Sequence, residues 1–234
     1  MALTVQPNRA HYALAELARR MPGFQCLSQN VDGLSQRADH PREQLQLLHG
    51  TLFDLKCSDE YCDYKEPNFT DPVFPALAIT TNASDPTSND ARARAGDLDI
   101  SDEKVPLPSL QQSEIPKCPK CQSGLIRPGV VWFGEALPRD VLDNVEAFMD
   151  HNNPKSKVDL IIVIGTSAKV YPAAGYIDQA RAKGARVCVV NMDTNDAPRS
   201  GWKKGDWLFK GDAATVVPQL LEPVIGDIAA RARV

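Results

Sequence analysis

Fourteen glycines are spread through the 234 residues, and no two of them are separated by a single residue. A G-x-G is therefore absent, and with it the glycine-rich fingerprint that holds a dinucleotide's pyrophosphate in many parallel-sheet folds. Long apolar runs are missing too: none approaches the roughly 20 residues of a membrane-spanning helix, so no membrane partner is expected. There is no excess of positive charge. The 26 basic and 30 acidic side chains leave a net charge of −4, which argues against a nucleic-acid backbone as a direct partner. The opening residues, Met1-Ala-Leu-Thr-Val-Gln-Pro7, carry neither an apolar secretion signal nor an Arg-rich transit helix, so an intracellular setting is expected. Aromatic residues are scarce at 6%, but 43% of the chain is hydrophobic, enough for a substantial core and against global disorder.

The apolar pattern that is present reads as α/β. Asn8 can cap a helix running to about Arg20, with Ala10, Leu14, Leu17 and Ala18 on one face. Phe24–Ser28 is strand-like and ends in Gln29-Asn-Val-Asp32. Val158–Ile164 and Arg186–Asn191 are continuous β-branched runs typical of strands buried on both faces. Between them a helix with core positions Ala173, Ile177 and Ala180 ends at Gly184. Strand, helix, strand implies a parallel sheet with a crossover. Further helices are expected over 139–150 and from Asp212 onward. The middle differs: residues 67–138 hold ten of the eighteen prolines, and 79–114 contain no aromatic residue and read as a flexible polar excursion.

Two cysteine pairs, Cys57/Cys62 and Cys118/Cys121, flank that excursion. Four thiolates in two close pairs suit tetrahedral zinc, and a filled shell with no open position makes the site structural. Cys26 and Cys188 lie in apolar runs and read as small buried hydrophobes. In open parallel sheets, ligands bind beyond the carboxyl ends of strands. Here those ends present Gln29–Asp32, Gly165-Thr166-Ser167 and Asn191-Met192-Asp193. Ordinary turn chemistry supplies such residues as well, but their recurrence at three strand ends favours a nucleotide crevice. Of the four histidines, His11, His40 and His151 read as solvated. His49, between Leu47-Leu48 and Gly50, is open to two readings, a general base or a structural histidine.

In combination these motifs resemble the sirtuins, NAD-dependent protein-lysine deacylases. Gln29-Asn-Val-Asp32, Leu48-His-Gly50, the cysteine pairs, Arg127–Glu135, Gly165–Pro172, Asn191-Met-Asp193 and Gly211-Asp-Ala213 occur in family order from about Pro7 to Leu221. Val130–Glu135 and Val170–Ala174 look most like the class III branch, whose members remove succinyl, malonyl and glutaryl groups from lysine. The resemblance implies a Rossmann-like NAD-binding domain from 1–50 and 125–234, with an inserted zinc-ribbon module at 51–124. It makes His49 the base that activates the cofactor ribose during formation of an alkylimidate. Gln29, Asn30, Val31 and Asp32 would line the nicotinamide and ribose pocket. Gly165, Thr166, Ser167, Asn191, Met192 and Asp193 would hold the adenosine half, with Ala213 closing over adenine. A strand over Val131, Trp132, Phe133, Gly134 and Glu135 would pair with an acyl-lysine peptide. The cysteine quartet would be the structural zinc, and class membership makes a mitochondrial compartment one expectation.

Two departures accompany the likeness. Asp193 stands where the family usually has Glu. Family members also carry a first strand and a G-A-G-x-S loop ahead of the helix matching Asn8–Arg20, together with the Tyr-x-x-Arg pair that reads acidic acyl groups. Their lack here leads us to expect a truncated or alternatively started product. The alternative to an active deacylase is then a catalytically inactive scaffold that binds zinc and nucleotide.

Overall fold

The computed structural model describes residues 2–70, 73–74, 111–150, 157–167, 169–193, 198 and 200–228. Most of the expected flexible excursion, residues 79–110, lies outside them, as does His151. The excursion's last residues, expected as part of that loop, form a 3-10 turn at Gln112–Glu114. Internal contacts divide the chain into two compact units, Met1–Val5 with Thr51–Val130, and Gln6–Gly50 with Val131–Val234.

The larger unit opens with α1 (Arg9–Arg20), started where the sequence puts a cap: Asn8 Oδ1 accepts the amides of Ala10 at 3.0 Å and His11 at 3.3 Å. β1 (Cys26–Ser28) pairs in parallel with β2 (Leu45–Leu47), Cys26 opposite Leu45 and Ser28 opposite Leu47. Between them lies a single helical turn, α2 (Leu34–Arg37). After α3 (Arg139–Phe148), β6 (Leu160–Ile164), α4 (Gly175–Ala182) and β7 (Arg186–Asn191) form the anticipated strand–helix–strand unit, with the two strands parallel. β8 (Trp207–Lys210) adds to the other side of β7, and α5 (Ala213–Ile225) follows. The parallel order is thus β6-β7-β8, beside the separate pair β1-β2.

Burial explains which elements are central. Val187, Cys188, Val189 and Val190 are at most 3% exposed, the signature of a strand covered on both faces. Ala10, Ala13 and Leu17 of α1 meet Val217, Leu221 and Ile225 of α5 over Cys188 and Val190. Each fully buried Val, Leu or Ile side chain contributes about 1.5–3 kcal/mol. Leu48, Val145, Met149, Tyr176 and Ala180 form a second cluster. His40, expected to be solvated, is instead buried at 7% exposure: Nδ1 donates to the Pro41 carbonyl at 3.0 Å, and its ring lies 6.2 Å from that of Phe24. Loop closure around α2 put it there, which a polar local sequence does not signal.

The smaller unit holds a sheet in the order β4-β3-β5, built from β3 (Gly50–Cys57), β4 (Lys65–Pro67) and β5 (Ile126–Val130), with β3 and β4 antiparallel. Stacked Phe53 and Phe69 rings, 5.2 Å apart, cover one part of it. No helix among the described residues is long and apolar enough to cross a membrane.

Candidate active site and metal centre

β3 delivers Cys57 at its end, a turn closed by Cys62 N–H to the Asp59 carbonyl returns Cys62, and the turn after Pro116 supplies Cys118 and Cys121. All the Sγ atoms lie within 4.8 Å of one another. The Cys57–Cys121 and Cys62–Cys118 sulfurs are 3.6 and 3.7 Å apart, close to the roughly 3.8 Å edge of a tetrahedron with zinc–sulfur bonds of about 2.3 Å. Amides of Asp59 and Gly124 point at Cys57 Sγ and Cys121 Sγ, each at 3.3 Å, and favour thiolate. Hydrogen bonds from Ser123 and then Gly124 hold Cys121 down at about 6, while burial pushes Cys57 up to about 12. A divalent cation would remove that mismatch by ionising the whole set. Gly124 is the residue the geometry requires: a Cβ there would lie 2.4 Å from Cys57 Sγ. The quartet fits a structural zinc, and its chemistry ends there.

The second constellation lies at the carboxyl ends of β1, β6 and β7. Leu48, 1% exposed, fixes the chain by donating its amide to the Ser28 carbonyl at 2.9 Å. His49 follows, with Nδ1 3.0 Å from the Gln29 carbonyl. A carbonyl oxygen only accepts, so Nδ1 carries the proton and Nε2 of the neutral ring is left with its lone pair. Gln29 Nε2 donates to Thr166 Oγ1 at 3.4 Å, Asn191 Nδ2 donates to the Thr166 carbonyl at 3.2 Å, and the Gly211 amide donates to the Asn191 carbonyl at 3.0 Å. One run of hydrogen bonds therefore joins His49, Gln29, Thr166 and Asn191 to the start of α5, where Asp212 caps the helix that Ala213 begins. Gly165 has φ +59° and nothing within 4 Å of where a Cβ would stand, so its backbone is open to a ligand.

Other expected residues stand at the margin of this network. Asn30 is exposed and its amide donates to Ser28 Oγ at 3.2 Å, Val31 is half-buried, and Asp32 Oδ1 accepts the Leu34 amide at 3.0 Å. Ser167 is half-buried, Met192 is 64% exposed and Asp193 is exposed. The expected strand over Val131–Glu135 is not formed. β5 stops at Val130, and Trp132 to Glu135 make a turn in which the Glu135 amide donates to the Trp132 carbonyl and Glu135 Oε2 accepts the Trp132 amide. Those bonds occupy the amides of Trp132 and Glu135 and the carbonyl of Trp132. Val131 nevertheless lies against the histidine, its amide donating to the His49 carbonyl at 2.9 Å, while Trp132 and Phe133 are 55% and 99% exposed. His11, expected to be solvated, is half-buried instead. It completes the Asn8 capping box and feels the Asp32 carboxylate, though burial dominates and lowers its pKa. Its spacing three residues from Asn8 was the available signal.

Comparison with known proteins converges on one family. Residues 1–172 match the model of the Sir2 family. An NAD-dependent protein deacylase of Candida albicans is 40% identical over 97% of this chain and 76% of its own. The canine NAD-dependent protein deacylase sirtuin-5, mitochondrial, is 33% identical over 94% of this chain, which spans 63% of the canine protein. The crystal structure of a Sir2 homologue in complex with NAD superposes with a TM-score of 0.62 at 30% identity, covering 95% of this chain and 66% of the homologue. Fold, cysteine quartet and sequence agree that the chain belongs to the Sir2 family.

Proposed function

We propose that this chain removes acyl groups from protein lysine in an NAD-dependent reaction, passing the acyl group to ADP-ribose with release of nicotinamide. The observation that carries the reading is the His49 tautomer, set by the Gln29 carbonyl at 3.0 Å beside a network of strand-end polar groups. NAD, when bound, would supply the ribose that takes up the acyl group, with nicotinamide as its leaving group. The chain's own part is to hold and deprotonate. Nε2 of His49 accepts a proton from a sugar hydroxyl. Gln29, Thr166 and Asn191 orient that sugar and its neighbour, and the open backbone at Gly165 lets them approach. Asn30, Val31, Asp32, Ser167, Met192, Asp193 and Ala213 complete the same crevice in this reading. Val131 to Glu135 receive the acyl-lysine segment, Val131 being tied to the histidine backbone. Succinyl, malonyl and acetyl groups are the substrates we infer, and the canine relative's name supports a mitochondrial setting.

Succinyl- and acetyl-lysine peptides incubated with NAD and the chain should release nicotinamide and free lysine. A second reading is a zinc- and nucleotide-binding scaffold without turnover, which would keep the cysteine quartet and the strand-end crevice. NAD binding by calorimetry without nicotinamide release would select the scaffold. Loss of both binding and turnover would sink the nucleotide-site reading itself.

A further inference from the structure

The opposite end of the same sheet holds charge that the deacylase reading does not use. A cavity of about 230 Å³ lies at the amino ends of β7 and β8, lined by Arg181, Arg186, Lys203, Lys204 and Asp206. Its single carboxylate is already committed. Asp206 Oδ1 accepts the Val187 amide at 3.0 Å, while Oδ2 accepts Arg181 Nη2 at 2.6 Å and the Lys203 amide at 2.7 Å. Arg181 and Asp206 are buried as an ion pair, at 5% and 4% side-chain exposure, and Nε of Arg181 has no partner among the described residues.

That pair neutralises itself and leaves Arg186, Lys203 and Lys204 with no carboxylate among the described residues. Arg186 is held in place rather than free to wave, its guanidinium carbon 5.0 Å from the centre of the Trp207 ring. Three cations without an ion-pair partner among the described residues thus line one concavity. A multiply charged anion would pair with all three, and a planar guanidinium with two ammonium groups is a donor set well suited to phosphate oxygens.

The geometry points to a second ligand site at this cavity, for a small phosphate-bearing molecule held by Arg186, Lys203 and Lys204. It is separate from the strand-end crevice. Arg186 opens β7 and Asn191 closes it, which places the two sites about 17 Å apart at roughly 3.3 Å per residue. Trp207, 40% exposed and in contact with Arg186, gives the site an optical reporter.

Inorganic pyrophosphate titrated into the full chain, followed by calorimetry and tryptophan fluorescence, tests the assignment. Binding should weaken as salt rises, and R186A and the double substitution K203A/K204A should each weaken it by about tenfold or more. Both sets of side chains are exposed, so unchanged thermal unfolding serves as the folding control. NAD affinity should stay the same in both variants, since neither touches the strand-end crevice. Undetectable pyrophosphate binding overturns the proposal. So does binding that both variants retain, which would place the anion elsewhere, and so does an oligonucleotide that binds where pyrophosphate does not.

Discussion

At the scale of single residues, His49 and His40 show how burial and one hydrogen bond put the same side chain in opposite settings. His49 is half-buried with Nδ1 donating to Gln29, so Nε2 is the basic atom. Replacing it with Gln should lower nicotinamide release by about a hundredfold or more, the usual worth of a positioned base, while leaving the melting curve in place. His40 is enclosed, and burial holds its pKa below the ordinary 6.5. Its Nε2 is buried without a partner among the described residues, so the neutral ring is the one that fits. The unfolded chain therefore binds the proton more readily. Stability is full above 6.5 and falls as pH drops from there toward the depressed folded value. Urea unfolding across pH 7 to 5 should show that loss, and His40→Gln should flatten it; an unchanged slope would exclude His40 as its source. Gly124→Ala forces a Cβ to 2.4 Å from Cys57 Sγ and should cut zinc content measured by elemental analysis.

At the scale of elements, the apolar stripe of α5 does the joining. Val217, Leu221 and Ile225 recur at helical spacing and all meet α1 and β7. Leu221→Ala should cost about 2–5 kcal/mol of unfolding free energy, because the deleted atoms leave a cavity between two helices and a strand. A cost near zero would mean that α5 is not part of the cooperative core. The helices and buried strands were legible because their period matches their burial: Asn8 starts α1 as expected, and Arg186–Asn191 is the strand at the bounds read from sequence. β8 was not legible. All its residues are exposed, so no alternation marks it, and only pairing with β7 makes Trp207–Lys210 a strand. The strand over Val131–Glu135 was expected only from the family resemblance, and here Trp132 and Glu135 bond to each other instead.

At the scale of the whole molecule, the division into two units sets how the chain should respond to losing metal. The quartet ties β3 to the turns at Cys62 and Cys118–Cys121, all in the unit containing Thr51–Val130. Chelation should raise amide hydrogen exchange in β3, β4 and β5 while β6 and β7 keep their protection; uniform loss would show a single cooperative unit. The sequence by itself determined the family, the α/β class, the four cysteines that can hold zinc and the residues at each strand end, because motif order, β-branched runs and cysteine spacing are local properties. Tertiary structure alone decided which nitrogen of His49 is basic, that Thr166 bridges Gln29 and Asn191, that His40 is enclosed, and that Arg186 and Lys204 share a cavity. Each of those depends on residues far apart in the chain, and only the folded backbone brings them within hydrogen-bonding or Coulombic range.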